Sequence, residues 1–183
     1  RSSSSRLDIG FGGYDMNFAR FYVGRFMQLH PECTIVLREY HYDTIFRSLL
    51  SRTCDVIFTA QTRIEDEAAV KQVMVSRSRP VDINASWEQA KILSRLFSHY
   101  GIKPGPIIRT NSAIAVTTML DLGMGVTFLT EDIVLANKNV KTIPLLFDQP
   151  VTKCHVAAQL IPSKRPLIDQ FMDFVENTPF QKD

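Results

Sequence analysis

Six stretches of this 183-residue sequence put small, hydroxylated or amide side chains where an apolar run stops. Gly12, Gly13 and Tyr14 follow LDIGF, His41 and Tyr42 follow TIVLREY, and Thr59, Ala60 and Gln61 end CDVIFTA and open the next turn. Further along, Asn84 and Ser86 follow VDI, Asn111 and Ser112 follow PIIRT, and Thr130 follows GVTFL. A helix start offers backbone N–H groups without intrahelical partners and a partial positive charge. Hydroxyl and amide groups placed there either cap those donors or share them with a bound carboxylate, and the two roles can coexist. In an open parallel sheet the carboxyl ends of strands face the ligand crevice. The expected lining is therefore Gly12, Gly13, Tyr14, Tyr42, Thr59, Ala60, Gln61, Asn84, Ser86, Asn111, Ser112 and Thr130, around a small, anionic metabolite such as a carboxylate.

Other chemistries find no constellation. His30 and His99 fall at helix ends, where a cation suits the dipole, and His155 sits in a late strand with a structural role. No close His/Cys/Asp/Glu spacing suits a metal, and neither a Gly-x-Ser-x-Gly elbow nor a phosphate-binding loop occurs. We therefore expect no catalytic residue, no metal and no cofactor. Cys33, Cys54 and Cys154 are an odd number beside apolar neighbours and read as buried thiols of a reducing compartment. The 21 Lys and Arg against 19 Asp and Glu give a net charge of +2 without a basic run, so this chain does not advertise nucleic-acid binding itself. No apolar run approaches the ~20 residues of a membrane span. The opening RSSSSRLDIG is not a signal peptide, and residues 1–5 read as a flexible lead-in or an expression scar.

The elements that must position these residues alternate. LDIGFG is a strand, and after Asp15 the apolar spacing of Phe18, Phe21, Tyr22, Phe26 and Leu29 predicts a helix closed by Pro31. Thr34–Tyr40 is a strand, Ile45, Phe46, Leu49 and Leu50 mark a second helix, and Cys54–Ala60 is apolar enough to be buried on both faces. After a charged loop at 64–69, Val70–Ser76 reads as a strand leaving the first lobe. The rhythm restarts with VDIN, a helix capped by Ser86, the strand GPIIRT and a helix capped by Asn111 or Ser112. In TMLDLGMGVTFLTEDI, Gly123 and Gly125 supply the left-handed backbone of a helix end before the strand GVTFLT. EDIVLANK, VKTIPL, the long strand Val151–Ile161 and a terminal helix complete the series. Two similar α/β halves joined by two extended segments predict two lobes with a cleft between them.

LDIGFGG, FARFYVGRFMQLHP, CDVIFTA, LFSHYGIKP and NSAIAVTTMLDLGMGVTFLTEDI, in this order over nearly the full chain, resemble the effector-binding domain of LysR-type transcriptional regulators. The resemblance implies a two-lobed type II periplasmic-binding-protein-like α/β fold with two hinge strands. Residues 6–75 plus 155–183 would form lobe I and 76–154 lobe II. It implies a cytoplasmic regulator whose small-molecule effector, bound in the interlobe cleft, acts on DNA only through an N-terminal winged helix-turn-helix absent from this sequence. It also implies a homodimer or homotetramer, with RNA polymerase as a partner of the full-length protein and no membrane. Phe18, Tyr22 and Phe26 are candidates for the dimer contact, with core packing as the alternative. The competing reading on the same fold is a periplasmic solute-binding protein of a transport system. The sequence departs from the family at three points. Tyr14 replaces a frequent serine or threonine, so that the first-lobe anion contact rests on backbone N–H groups; the connection between SRSRP and VDIN is short; and Arg52 replaces a frequent glycine, a surface change of little functional meaning.

Overall fold

The computed structural model describes residues 5–78, 94, 97–110, 112–127, 140–141 and 153–181. The chain divides into two compact units, Arg1–Ser78 with Lys153–Asp183, and Arg79–Thr152.

In the first unit, β1 (Arg6–Gly12), β2 (Thr34–Tyr40), β3 (Val56–Ala60), β4 (Val70–Ser78) and β5 (Lys153–Leu160) form one sheet in the order β2-β1-β3-β5-β4. β1 runs parallel to β2 and β3, whereas β5 is antiparallel to β3 and β4. Helices α1 (Met16–Leu29) and α2 (Ile45–Leu50) are the crossovers expected between parallel strands, and α4 (Pro166–Asn177) follows β5. One face carries α1 and α4. Phe18, Tyr22 and Phe26 recur at helical spacing and meet Phe58 and Ala157 of the sheet and Phe171 and Met172 of α4. The other face carries α2, whose Ile45, Phe46 and Leu49 pack on Ile57, Val156 and Ala158. Alternate residues of β3 thus serve opposite layers, and all five are buried, as its unbroken apolar run requires.

The structure decides one open expectation and corrects others. Of the two readings of Phe18, Tyr22 and Phe26, core packing holds: all three are buried, and their rings pack edge-on or stacked against Phe58, Phe171, Phe174 and Phe180. Only Cys54 is a buried thiol, because Cys33 and Cys154 lie at strand edges and are half-buried; all three are free. The charged 64–69 segment is not all loop: Asp66 Oδ1 accepts from the Ala68 N–H at 3.1 Å and starts a 3₁₀ turn at Glu67–Ala69. Residues 105–110 form no strand; Ile107 and Ile108 are exposed, and no ladder partner is available among the described residues.

In the second unit, α3 (Ala113–Asp121) starts at Ser112, whose Oγ accepts from the Ala115 N–H at 3.2 Å. It ends with Gly123 at φ +69°, Gly123 N–H bonded to Leu120 O and Met124 N–H to Met119 O, each at 3.0 Å. This closure needs positive φ at the residue after the cap, the role that the Gly-Met-Gly pattern predicts.

Candidate functional site

The parallel strands β2, β1 and β3 release the chain at one sheet edge, where Gly12 pairs with Tyr40 and Ala60 with His155. The structure therefore gathers Gly12, Gly13, Tyr14, Tyr42, Thr59, Ala60 and Gln61 at the carboxyl edge of the first unit. Ser112 belongs to the second unit, and its hydroxyl accepts the cap hydrogen bond of α3, the simpler of its two expected roles. Asn84, Ser86, Asn111 and Thr130 lie outside the described residues.

Asp15, which sequence reading treats as no more than the residue before α1, is the hub. Its carboxylate, fully buried, makes no cap hydrogen bond to α1. Instead Oδ2 accepts from the Tyr42 hydroxyl at 2.7 Å, and Oδ1 lies 2.5 Å from His155 Nδ1. The Tyr42 oxygen in turn accepts from the Tyr14 backbone N–H at 3.3 Å, and the two phenol rings stack with centroids 6.4 Å apart. One carboxylate thus ties the exits of β1 and β2 to β5, the strand on which the chain returns to the first unit. Burial, then the Asp15 charge, pushes the Tyr42 phenol well above its ordinary pKa, so Tyr42 is a standing hydrogen-bond donor. A carboxylate accepting at Oδ1 fixes the Nδ1–H form of His155 and turns Nε2 outward from the pair. That Nε2, on a side chain 1% exposed, has no hydrogen-bond partner.

Glycine at position 12 is a packing requirement. A Cβ there would stand 2.4 and 2.6 Å from two Tyr42 ring carbons and 2.8 Å from Asp15 Oδ2. Thr59 is fully buried and its Oγ1 is also unpartnered; it faces the α2 layer, whereas Ala60 and His155 share the α1 layer, where His155 lies 5.1 Å from the Phe18 ring. Gln61 is half-buried at the start of a 3₁₀ turn. Arg63 provides a cation at the rim, 5.7 Å over the Tyr42 ring and 3.1 Å from Asp43.

Of the backbone N–H groups expected to make the first-lobe anion contact, that of Tyr14 is engaged by Tyr42, and the residue before α1 carries a carboxylate that is directed to Tyr42 and His155. At the rim the edge presents the half-buried Tyr42 ring and the guanidinium of Arg63, which suit ring and polar groups of a ligand, whereas the Tyr14 hydroxyl and the imidazole are buried and the Tyr42 hydroxyl is held by Asp15. Sequence reading missed Asp15 and Arg63, and its structural role for His155 agrees with the buried Asp15 pair. The available signal was a His in a hinge strand, read as structural, and an Asp beside two glycines, read as a helix opener. Among the described residues no group of three His, Cys, Asp or Glu could hold a metal, and no helix is long and apolar enough to cross a membrane. A separate cavity of about 600 Å³ opens at the amino edge of the same sheet, beside Arg6 and Asp55, about 20 Å away along β1.

No protein-family model and no curated protein sequence matches the chain. Solved structures do match. The regulatory domain of CcmR from Synechocystis PCC6803, in complex with 2-PG, superimposes with a TM-score of 0.72 at 15% identity, covering 96% of this chain and 99% of that one. The effector-binding domain of QuiR in complex with shikimate gives 0.70 at 16% identity, covering 94% and 96%. Full-length CbnR, a LysR-family transcriptional regulator complexed with its target DNA, gives 0.69 at 14% identity, covering 93% of this chain and 69% of that one. The chain therefore has the periplasmic-binding-protein-like α/β fold of LysR-family effector-binding domains, and these neighbours are regulatory proteins rather than enzymes.

Proposed function

We propose that the chain is the ligand-sensing domain of a bacterial LysR-type transcriptional regulator. The observation that carries the reading is a fold shared with regulatory domains over 93% or more of the chain, coinciding with a polar cluster at the carboxyl edge of β1 and β3. A small metabolite occupies the interlobe cleft that the resemblance implies, with Tyr14, Tyr42 and Gln61 as contacts from the first unit and Ser112 from the second. CcmR with 2-PG and QuiR with shikimate supply the precedent for a small acid as ligand. Because the residue before α1 is Asp15, the acid group of such a ligand is assigned on the first unit to Arg63, and its neutral groups to the tyrosines. Binding acts by population shift, since an effector moves an equilibrium only by its differential affinity for the two states.

The regulator acts in the cytoplasm as a homodimer or homotetramer. It engages DNA through an N-terminal winged helix-turn-helix and RNA polymerase in the full-length form, and it is not an enzyme. CbnR on its target DNA supports this division of labour. The solute-binding alternative shares the fold, but the neighbours named above are regulators, which favours the first reading. A thermal-shift screen against organic acids, amino acids and aromatic compounds tests it. A ligand at ~100 times its dissociation constant adds about 2.7 kcal/mol, a rise of roughly 5–10 °C for a chain of this size. The rise is expected to shrink in Tyr42→Phe and Ser112→Ala. If nothing in these classes raises the melting temperature or alters DNA affinity of the full-length regulator, the sensing assignment fails.

A further inference from the structure

The cavity at the amino edge is not used by the function proposed above, and its walls are charged. Its frame is self-paired. Arg6 holds Asp8 through Nε and Nη2, both at 2.8 Å, and Arg38 adds a third contact at 3.2 Å. Arg165 holds Asp55 at 2.5 Å and donates to the Arg6 carbonyl at 2.6 Å, while the Asp8 N–H donates to the same Asp55 oxygen at 2.9 Å. Both carboxylates are therefore committed to guanidinium groups. Arg52 and Lys164 also line the cavity, and among the described residues neither side chain has a hydrogen bond or ion pair.

Arg52 is the one non-glycine residue with positive φ among those described, at +58°. It follows α2 in the position where a helix end accepts the left-handed conformation, its N–H bonded to Leu49 O at 3.0 Å. Glycine takes that conformation without strain, whereas a residue with a Cβ is strained in it, and local strain of this kind concentrates at functional positions. Arg52 thus places a cation over the cavity at a cost in stability.

We propose that this amino-edge cavity binds a doubly charged oxyanion of the phosphate-monoester class, held by Arg52 and Lys164 above the Arg6–Asp8–Asp55–Arg165 frame. Two cations without partners match a dianion, which a single carboxylate would leave half-neutralised. A planar guanidinium fork and a mobile ammonium are the two side chains that recognise phosphate oxygens. The volume of about 600 Å³ exceeds what the anion alone fills and lies in the range of small-molecule sites, leaving room for the organic part.

The experiment is a titration of the isotope-labelled chain with inorganic phosphate, phenyl phosphate and benzoate, at ionic strength held constant with chloride, followed by amide resonances. Saturable shifts at Arg52, Ser163 and Lys164 with either phosphate are expected. Arg52→Gly is expected to weaken that binding about tenfold while raising the melting temperature, because strain and recognition reside in the same residue. Lys164→Ala is expected to weaken binding similarly without a change in melting temperature. Tyr42→Phe leaves this binding intact, which separates it from the carboxyl-edge site. Unsaturable shifts, an affinity in the Arg52→Gly and Lys164→Ala variants equal to that of the unsubstituted chain, or benzoate binding as tightly as phenyl phosphate would each overturn the assignment.

Discussion

Replacing Gly12 by alanine tests whether the carboxyl edge is as tightly determined as its geometry implies. The added methyl would stand 2.4 and 2.6 Å from Tyr42 ring carbons, against the ~3.5–4 Å at which carbon atoms rest in contact. Tyr42 cannot simply swing away, because its hydroxyl donates to Asp15 at 2.7 Å and accepts from the Tyr14 N–H at 3.3 Å. A ring displaced by about 1 Å loses the Asp15 bond. Overpacking of this kind costs about 1–3 kcal/mol and the lost hydrogen bond about 1 more. The expected destabilisation is thus about 2–4 kcal/mol, seen as a lower urea midpoint at unchanged slope by far-UV circular dichroism. The double variant with Tyr42→Ala separates the causes. With the ring gone, two of the three nearest atoms disappear and Asp15 Oδ2 at 2.8 Å remains of them, so Gly12→Ala in that background is expected to cost less than half as much. Costs that simply add, or a Gly12→Ala penalty below ~0.5 kcal/mol, would refute the tight packing of Tyr42 over β1.

Two further outcomes follow from the same network and its neighbours. Asp15→Ala leaves the Tyr42 hydroxyl and His155 Nδ1 without their acceptor; at about 1–3 kcal/mol for each stranded group, a loss of about 2–6 kcal/mol is expected in urea unfolding, and a loss under ~1 kcal/mol would show that the carboxylate is dispensable. Burial pushes the Tyr22 and Tyr40 phenols up to about 12. A phenol whose folded pKa lies above its unfolded value near ~10 holds its proton more tightly when folded, so stability is full below pH ~10 and falls as pH rises toward ~12. Ultraviolet difference titration is expected to show these tyrosines ionising with or after the alkaline loss of structure, and early ionisation of every tyrosine in a still-folded chain would contradict it.

Most of the first unit was legible because its layers repeat simple periods. β1 and β2 alternate or end where glycine and tyrosine say they do, α1 carries its apolar residues at helical spacing, and the unbroken apolar run of β3 signals burial on both faces. What period alone cannot tell is which apolar residue faces a partner chain and which faces the core. Phe18, Tyr22 and Phe26 fit both readings in sequence, and only α4, arriving 140 residues later, decides for the core. The GPIIRT segment differs for another reason: β-branched residues favour a pleated surface but form a strand only beside a partner, and none pairs with it among the described residues. Arg52 shows a third limit, since a substitution at a glycine position looks like surface variation until its backbone angle is known.

The candidate site itself was legible as a set of strand ends but not as a circuit, and the difference bears on the ligand. A helix start after two glycines predicts donors waiting for an anion. In the fold, Asp15 brings that negative charge from within the chain, and His155, distant by 140 positions in sequence, meets it at 2.5 Å. Once the α1 dipole already faces a buried carboxylate, a second anion beside it would meet like charge in a poorly solvated setting, where repulsion is strong. On the reading proposed above, the first unit would then take the uncharged part of a ligand at Tyr42, Tyr14 and Gln61, and an acid group would gain more from Arg63 at the rim. Whether a metabolite is recognised here thus depends less on the number of helix starts than on which of them the chain has already neutralised.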